Sequence, residues 1–432
     1  MFIRGFTMEN KILTIAIIGM GARGGYAYGT FLVDNPDKFK IVSICDPDEY
    51  RLNKWGEYMN VPEEQRFLSE DEFFKEKRAD VLFITTMDRL HVRMANKALD
   101  LGYNLLLEKP ISDSKEELKS LLEHAHKANK TIMVCHVLRY TVWIKKCKEI
   151  IDSGAIGKLV SIDHTENVVY WHEAHSFVRG NWHKKEDCAP MILAKCCHDL
   201  DLLQYFAHSR CKYISSMGDL RYFKKENKPE GSADRCTNCK YMNSCTYSAK
   251  QIYIDDWHAC HEVQDFPFTL VTDVFPVTEE ALWEAIKTGR YGKCAFSCDN
   301  NVVDNQTVIM TFENGITATL KMEAFVKEGG RDIRFFGTDG ELDLRENENT
   351  IILKPFRGEA KVWKINELTD DLHGHGGGDH EMLKQLYRVM ALGDKDVATS
   401  IDDSVESHYM ALAAEESRVN NGQLIEMSKF RK

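Results

Sequence analysis

The chain has 432 residues, 43% of them hydrophobic and 28% charged, which excludes a disordered chain and exceeds what one ordinary core can hold. A formal net charge of -11 argues against nucleic acid or an anionic membrane as partner, and no stretch approaches the roughly 20 apolar residues of a membrane span. The opening MFIRGFTMEN lacks an apolar segment with a small-residue cleavage site, and Met8 is an alternative start. The chain is therefore expected in the cytoplasm, where its 13 cysteines read as thiols or metal ligands before disulfides.

Ile12–Ile18 is a continuous apolar run rich in β-branched residues, the pattern of a parallel strand buried on both faces. Gly19-Met-Gly21-Ala-Arg-Gly24 follows, between that strand and a helix, the context a dinucleotide-binding G-x-G-x-x-G needs. Gly19 permits the tight turn, Gly21 the approach of a pyrophosphate, and Gly24 close helix–strand packing. A second strand, Lys40–Cys45, ends at Asp46, placed to accept hydrogen bonds from an adenosine ribose. A carboxylate there repels a 2′-phosphate, so NAD is expected over NADP, with Arg51 close enough to weaken the preference.

Ala79–Thr85 reads as a third strand, with Asp88 capping the helix that follows. Tyr103–Leu107 is a fourth, running into Glu108-Lys109-Pro110. Ser114 and Glu117 form a capping box before Leu118, Leu121, Leu122 and Ala125, and Thr131–Val134 is a further strand. This alternation predicts a doubly wound parallel sheet over residues 8–135. Further on, Lys158–Glu166, Thr307–Phe312, Ile316–Phe325, Arg331–Gly337, Thr350–Phe356 and Lys361–Ile365 read as strands, with Asn314-Gly315 and Asp339-Gly340 as turns. Helical regions are expected over about 380–392 and from Ser404 to about Val419. Residues 136–432 are thus an α+β second domain.

GMGARG, the acidic end of strand two, Glu108-Lys109-Pro110 and the later Lys195-Cys-Cys-His198-Asp199-Leu-Asp201, in this order, resemble the glucose–fructose oxidoreductase / inositol dehydrogenase / rhizopine-catabolism (Gfo/Idh/MocA) family of dehydrogenases. The resemblance implies a Rossmann domain followed by a large, mainly antiparallel sheet with helices on one side, often used to build homo-oligomers, here a dimer or tetramer. It implies that Lys109 holds the substrate hydroxyl beside a nicotinamide and that His198 is the proton acceptor. The family segment commonly reads D-x-G-x-H; aligned on His198, Ala194 and Cys196 replace the aspartate and the glycine. Lys195 is then an alternative proton acceptor, and Asp199 or Asp201 would orient the imidazole.

Candidate cofactor contacts are Gly19, Gly21, Ala22, Arg23, Gly24, Asp46, Thr85, Thr86, His91, Glu108 and Lys109. Candidate substrate contacts are His172, His175, Arg179, Asn181, Lys195, Asp199 and His375. Most of these lie in the aromatic and polar stretch 170–182, suited to sugar faces and hydroxyls, or in the glycine-rich His373–His380 loop, which either covers substrate or merely connects helices.

Cys236, Cys239 and Cys245 have the C-x2-C-x5-C spacing of zinc or iron–sulfur ligands, within a polar insert of about residues 223–262 expected to have little core of its own. A structural zinc is expected, its fourth ligand open among Cys260, Cys294 and Cys298. The function so read is hydride transfer between NAD(P) and a secondary hydroxyl of a sugar, cyclitol or glycoside. Two alternatives share the fold: a redox-neutral glycosidase or isomerase that retains its NAD, and a nicotinamide-binding regulator without catalysis.

Overall fold

The computed structural model describes residues 11–432. Residues 1–10, and with them the alternative start at Met8, lie outside the described residues. Strands β1 (Leu13–Ile18), β2 (Phe39–Cys45), β3 (Arg66–Phe67), β4 (Val81–Ile84), β5 (Asn104–Leu107) and β6 (Ile132–Val134) form one all-parallel sheet in the order β3-β2-β1-β4-β5-β6. The apolar run of β1 is explained by its two faces. Ile15 and Ile17 enter one core cluster while Ala16 and Ile18 enter another. The strand order reverses between β1 and β4, which opens a crevice at their carboxyl ends where such sheets bind ligands.

The second sheet has nine strands: β7 (Leu159–Val169), β8 (Cys211–Asp219), β9 (Asn305–Phe312), β10 (Thr317–Val326), β11 (Gly330–Gly337), β12 (Gly340–Arg345), β13 (Thr350–Pro355), β14 (Lys361–Lys364) and β15 (Ile425–Glu426). Their order is β14-β13-β12-β11-β7-β10-β9-β8-β15, antiparallel throughout except for the β10–β7 pair. Strands β8 and β12 have no counterpart in the sequence reading. In β8 the inward Ser216 breaks the apolar alternation, whereas in β12 the core residues Leu342 and Leu344 alternate with Glu341 and Asp343, the latter covered on the other face by Arg334 and Lys354.

The two halves interlock. The helix Gly378–Leu392 buries Met382, Leu383 and Leu386 in the core of the first sheet, although its sequence position is in the second half. The helix Ile401–Val419 packs on β8 and on the helix Lys115–Ala128. Ser114 caps that last helix by accepting the Glu117 N–H at 3.3 Å. The reciprocal half of the expected capping box is absent, because the Glu117 carboxylate takes the Ser112 hydroxyl at 2.5 Å. The cysteine insert corrects another expectation. It has a core, in which Ile252, Tyr253, Trp257, Leu282 and Ile286 cluster with Ala174 and Cys236.

Candidate active site

The crevice is built first by glycines. Gly19 leaves β1 at φ +95°, where a Cβ would stand 2.6 Å from the Thr85 carbonyl oxygen. A Cβ on Gly24 would stand 2.1 Å from the Gly19 oxygen, whereas one on Gly21 would meet nothing within 4 Å. The loop is thus tight where it packs on the sheet and open at Gly21. Thr85 secures it, donating from Oγ1 to the Gly19 carbonyl at 2.7 Å. Asp46, buried at the end of β2, accepts the Met20 N–H at 2.7 Å and the Arg51 guanidinium at 3.1 Å. Its carboxylate therefore already ties the glycine loop to Arg51. The helical segment starting at Ala22 turns its free N–H groups toward the opening at Gly21, an arrangement that fits a dinucleotide pyrophosphate.

Arg23 and Glu108, both expected as cofactor contacts, are taken up by each other. Arg23 Nε donates to Glu108 Oε1 at 2.8 Å, and its two Nη atoms hold both oxygens of Asp379 at 2.5 and 3.0 Å. Tyr28 donates to the same Glu108 oxygen at 2.5 Å. Burial raises the Glu108 carboxyl, but the charges of Arg23 and Lys109 outweigh it and leave it below the ordinary range. Asp379 is likewise held well down by Arg23 against its burial. This network clamps the His373–His380 loop onto the glycine loop, so the loop is more than a connector.

His91 is completely buried, with Nδ1 2.7 Å from the Pro110 carbonyl and Nε2 3.0 Å from the Thr86 carbonyl. It is committed to backbone, and it positions the segment bearing Lys109. Thr86 lies beside it, its hydroxyl 3.7 Å from the Met94 sulfur. Asp88 does not cap the following helix through its side chain. Burial raises its carboxyl, partly offset by His91 and Lys109.

Lys109 stands among several histidines. His198 is 6% exposed, with Nδ1 lacking any hydrogen-bond partner among the described residues. Burial, reinforced by Lys109, holds its imidazole well below the ordinary range. His136 and His172 are depressed in the same way, each with Lys109 among the causes. The His198 ring centroid lies 5.6 Å from that of His136 and 6.4 Å from that of His375. His375 hydrogen-bonds Asp379 at 3.1 Å. Lys195 pairs with Glu166 at 3.1 Å. Burial depresses the His172 imidazole, and the charges of Lys195 and Lys109 add to it.

Neither candidate carboxylate orients His198. Asp199 is fully buried between Arg331, at 2.8 Å, and His164, at 2.9 Å. Asp201 is taken by Arg139 at 2.6 and 2.7 Å. Asp199 is therefore part of the scaffold beneath the site, not a substrate contact. His175, Arg179 and Asn181 also depart from expectation. His175 stacks on Tyr291 at 4.7 Å and bonds the Tyr253 hydroxyl at 3.1 Å. Arg179 donates to the Lys293 and Tyr247 carbonyls, and Asn181 accepts from Arg290 at 2.7 Å. His175 and Arg179 belong to the packing of the cysteine insert, whereas Asn181 is exposed beside Arg290. Within the aromatic stretch, it is the His172 imidazole that the Lys109 charge helps to depress.

His136 and Asp379 were missed by the sequence reading. A signal for His136 existed, since it follows the carboxyl end of β6 as Lys109 follows that of β5. Asp379 had none, because only the fold brings it to Arg23. All 13 cysteines are unpaired. The expected zinc is not supported either: among the described residues no three His, Cys, Asp or Glu side chains are arranged to hold a metal ion. Among the described residues, no helix is long and apolar enough to cross a membrane.

Comparison with known proteins matches residues 13–136 to the Gfo/Idh/MocA model described as an oxidoreductase family, NAD-binding Rossmann fold. Residues 148–427 match that family's C-terminal alpha/beta domain. The chain is 22% identical over 400 residues to the putative oxidoreductase YteT of Bacillus subtilis, covering 86% of this chain and 88% of that one. It is 25% identical over 207 residues to the D-xylose dehydrogenase of Paenarthrobacter nicotinovorans, 44% of this chain and 52% of that one. Among solved structures, the WlbA dehydrogenase of Bordetella pertussis in complex with NADH and UDP-GlcNAcA superposes with a TM-score of 0.70 at 14% identity, covering 97% of this chain and 99% of that one. A putative myo-inositol dehydrogenase of Sinorhizobium meliloti gives 0.62 at 12% identity, with 96% and 99% covered.

Proposed function

Because this chain belongs to the Gfo/Idh/MocA oxidoreductase family, we propose that it transfers a hydride between NAD(H) and a secondary hydroxyl of a sugar, cyclitol or glycoside. The observation that carries the proposal is the placement of Lys109 beside His198, His172 and His375, at the carboxyl ends of parallel strands and next to the open glycine loop. Gly19, Gly21, Ala22 and Gly24 would hold the pyrophosphate, and Asp46 the ribose. The ion pair of Asp46 with Arg51 leaves a cation near that ribose, so NADP is the competing cofactor to measure. The bound nicotinamide would supply the hydride acceptor.

His198 takes the proton of the substrate hydroxyl, and its low basicity means that the neutral, accepting form is already present at neutral pH. Lys109 stabilises the negative charge that grows on the same oxygen. Lys195, fixed by Glu166, and His172 and His375 bind neighbouring hydroxyls. The outer face of the second sheet exposes Met217, Ile309 and Phe325, which supports self-association of the chain. The test is titration with NAD and NADP, followed by a sugar and cyclitol panel read by nicotinamide absorbance. Folded protein that binds neither cofactor would refute the reading. Tight NAD binding without net NADH release on a substrate that is nonetheless converted would move it to redox-neutral chemistry.

A further inference from the structure

Beneath the crevice, buried histidines fasten the segment that follows Lys109. Pro110 has no N–H, so after the Lys109 carbonyl the next polar backbone groups are the Pro110 carbonyl and the Ile111 N–H. A histidine side chain meets each of them. His91 Nδ1 lies 2.7 Å from the Pro110 carbonyl, and the Ile111 N–H donates to His408 Nε2 at 2.8 Å. The other nitrogen of His91 lies 3.0 Å from the Thr86 carbonyl, which ties the exit of β4 to the exit of β5. Both histidines are completely buried.

His408 arrives from 297 positions away, on the helix Ile401–Val419. Its Nδ1 lies 2.8 Å from the Ser404 carbonyl, which sets the tautomer: Nδ1 carries the hydrogen and Nε2 is left to accept. The neighbouring Ser407 hydroxyl donates to the same carbonyl at 2.8 Å and lies 3.5 Å from His136 Nε2. The His136 ring stands edge-on to two others, 5.7 Å from the His408 centroid and 5.6 Å from that of His198. A continuous buried polar layer thus runs from the Lys109 segment to His198. Around it the helix contributes apolar core, including Val405, Met410 and Ala411. An apolar side chain at position 408 would suit that core, yet it would leave the buried Ile111 N–H without its acceptor.

We propose that His408 is a positioning residue for Lys109. By accepting the Ile111 N–H it fixes the turn from which the Lys109 side chain projects, and Ser407 and His136 extend the same support to the ring of His198. This rests on the reading of Lys109 as the group that stabilises charge on the substrate oxygen. His408 itself takes no proton from the reaction, because both its ring nitrogens are engaged away from the crevice. Its contribution is geometric: a displacement of about 1 Å in a reacting group can cost about 10²-fold in rate.

The experiment compares the full chain with His408→Gln, whose amide oxygen can accept the Ile111 N–H, and with His408→Leu, which has no acceptor. Two readouts need no substrate. One is hydrogen exchange at the Ile111 amide. The other is the rate at which acetic anhydride acetylates Lys109, relative to the exposed Lys225. The third is turnover on the most active member of the sugar and cyclitol panel, in the wild-type and Lys109→Ala backgrounds. His408→Leu should speed the exchange and the acetylation and lower kcat by up to about 10²-fold, with KM and cofactor dissociation constants little changed. His408→Gln should stay near wild type in all three. In the Lys109→Ala background, His408→Leu should add no further loss, since it acts through a lysine already removed. Unchanged exchange and acetylation in His408→Leu would overturn the proposal. So would an equal fall in kcat with and without Lys109, or a His408→Gln as impaired as His408→Leu. Full turnover in Lys109→Ala would instead end the catalytic role of Lys109, and exchange and acetylation would still decide whether His408 holds its segment. Should His408→Leu fail to fold, His408→Asn, too short to reach the Ile111 amide, takes its place.

Discussion

Acidification should destabilise the protein through His408, by an amount that follows from its surroundings. His408 is completely buried on the helix Ile401–Val419. Its Nε2 accepts the Ile111 N–H at 2.8 Å, two residues after Lys109, so Nδ1 is the protonated nitrogen and donates to the Ser404 carbonyl at 2.8 Å. A second proton could enter only at Nε2, where an amide already points. Burial, with His136 nearby, pushes the imidazole down to about 3. The unfolded chain takes up this proton as the pH falls below about 6.5, whereas the folded chain does not. His408 therefore costs nothing above that value, and the cost grows as the pH falls toward the folded value. At about 1.4 kcal/mol per pH unit, the loss between pH 6.5 and pH 5 is about 2 kcal/mol. Against a typical total of about 5–15 kcal/mol this is substantial. The assay is urea denaturation of wild type and His408→Gln at pH 7, 6 and 5. The other depressed histidines act on both proteins and cancel in the comparison. The advantage of wild type over the variant should shrink by about 2 kcal/mol between pH 7 and pH 5. A difference that stays constant over this range would refute the reasoning, because His408 would then gain its proton equally in both states.

The remaining predictions concern the site. Lys109→Ala should lower turnover by about 10²–10³ and His198→Ala by about 10²–10⁴, with cofactor dissociation constants nearly unchanged. Because His198 is held well below its ordinary range, wild-type turnover should stay flat from pH 6.5 to 8 and not rise through an imidazole titration. Near-wild-type turnover in His198→Ala together with a dead Lys195→Ala would transfer the proton to Lys195. Asp379→Ala should cost stability toward the lower end of about 3–5 kcal/mol, because it strips the partly covered Arg23 of one of its two carboxylates. Denaturation curves that superpose on those of wild type would show that the loop clamp contributes nothing.

The first sheet was legible because its information is local. A parallel strand covered on both faces must be apolar along its whole length, and Ile12–Ile18 and Ala79–Thr85 are; the strands begin and end within two residues of the runs that announced them. Gly19 and Gly24 were legible for a similar reason, since backbone contacts of this kind exclude a side chain. In the second sheet the hairpin at Asn314-Gly315 could be read from its turn residues, with Gly315 at φ +90°. Strand β8 could not, because Ser216 faces inward to Gln306, 90 positions away, and erases the period-two signal. The cysteine spacing pointed to a metal, but the folded segments bring no three candidate ligands among the described residues into an arrangement that would hold one.

By itself, then, the sequence determined the doubly wound sheet, its nucleotide loop, and the presence of Lys109 and His198 at the ends of their elements. Each of these depends on contacts within a few residues or on the periodicity of a single strand. The tertiary structure alone decided which polar residues share a site. His175 and Arg179 have the composition of a sugar site yet are buried around the cysteine insert, and Asn181 is exposed beside Arg290. Asp199 and Asp201, adjacent to His198 in sequence, are drawn away from it by Arg331 and Arg139. Asp379 crosses 356 positions to reach Arg23. The physical reason is the same in each case. A buried charge must find its counter-ion, and which one it finds depends on how distant segments pack.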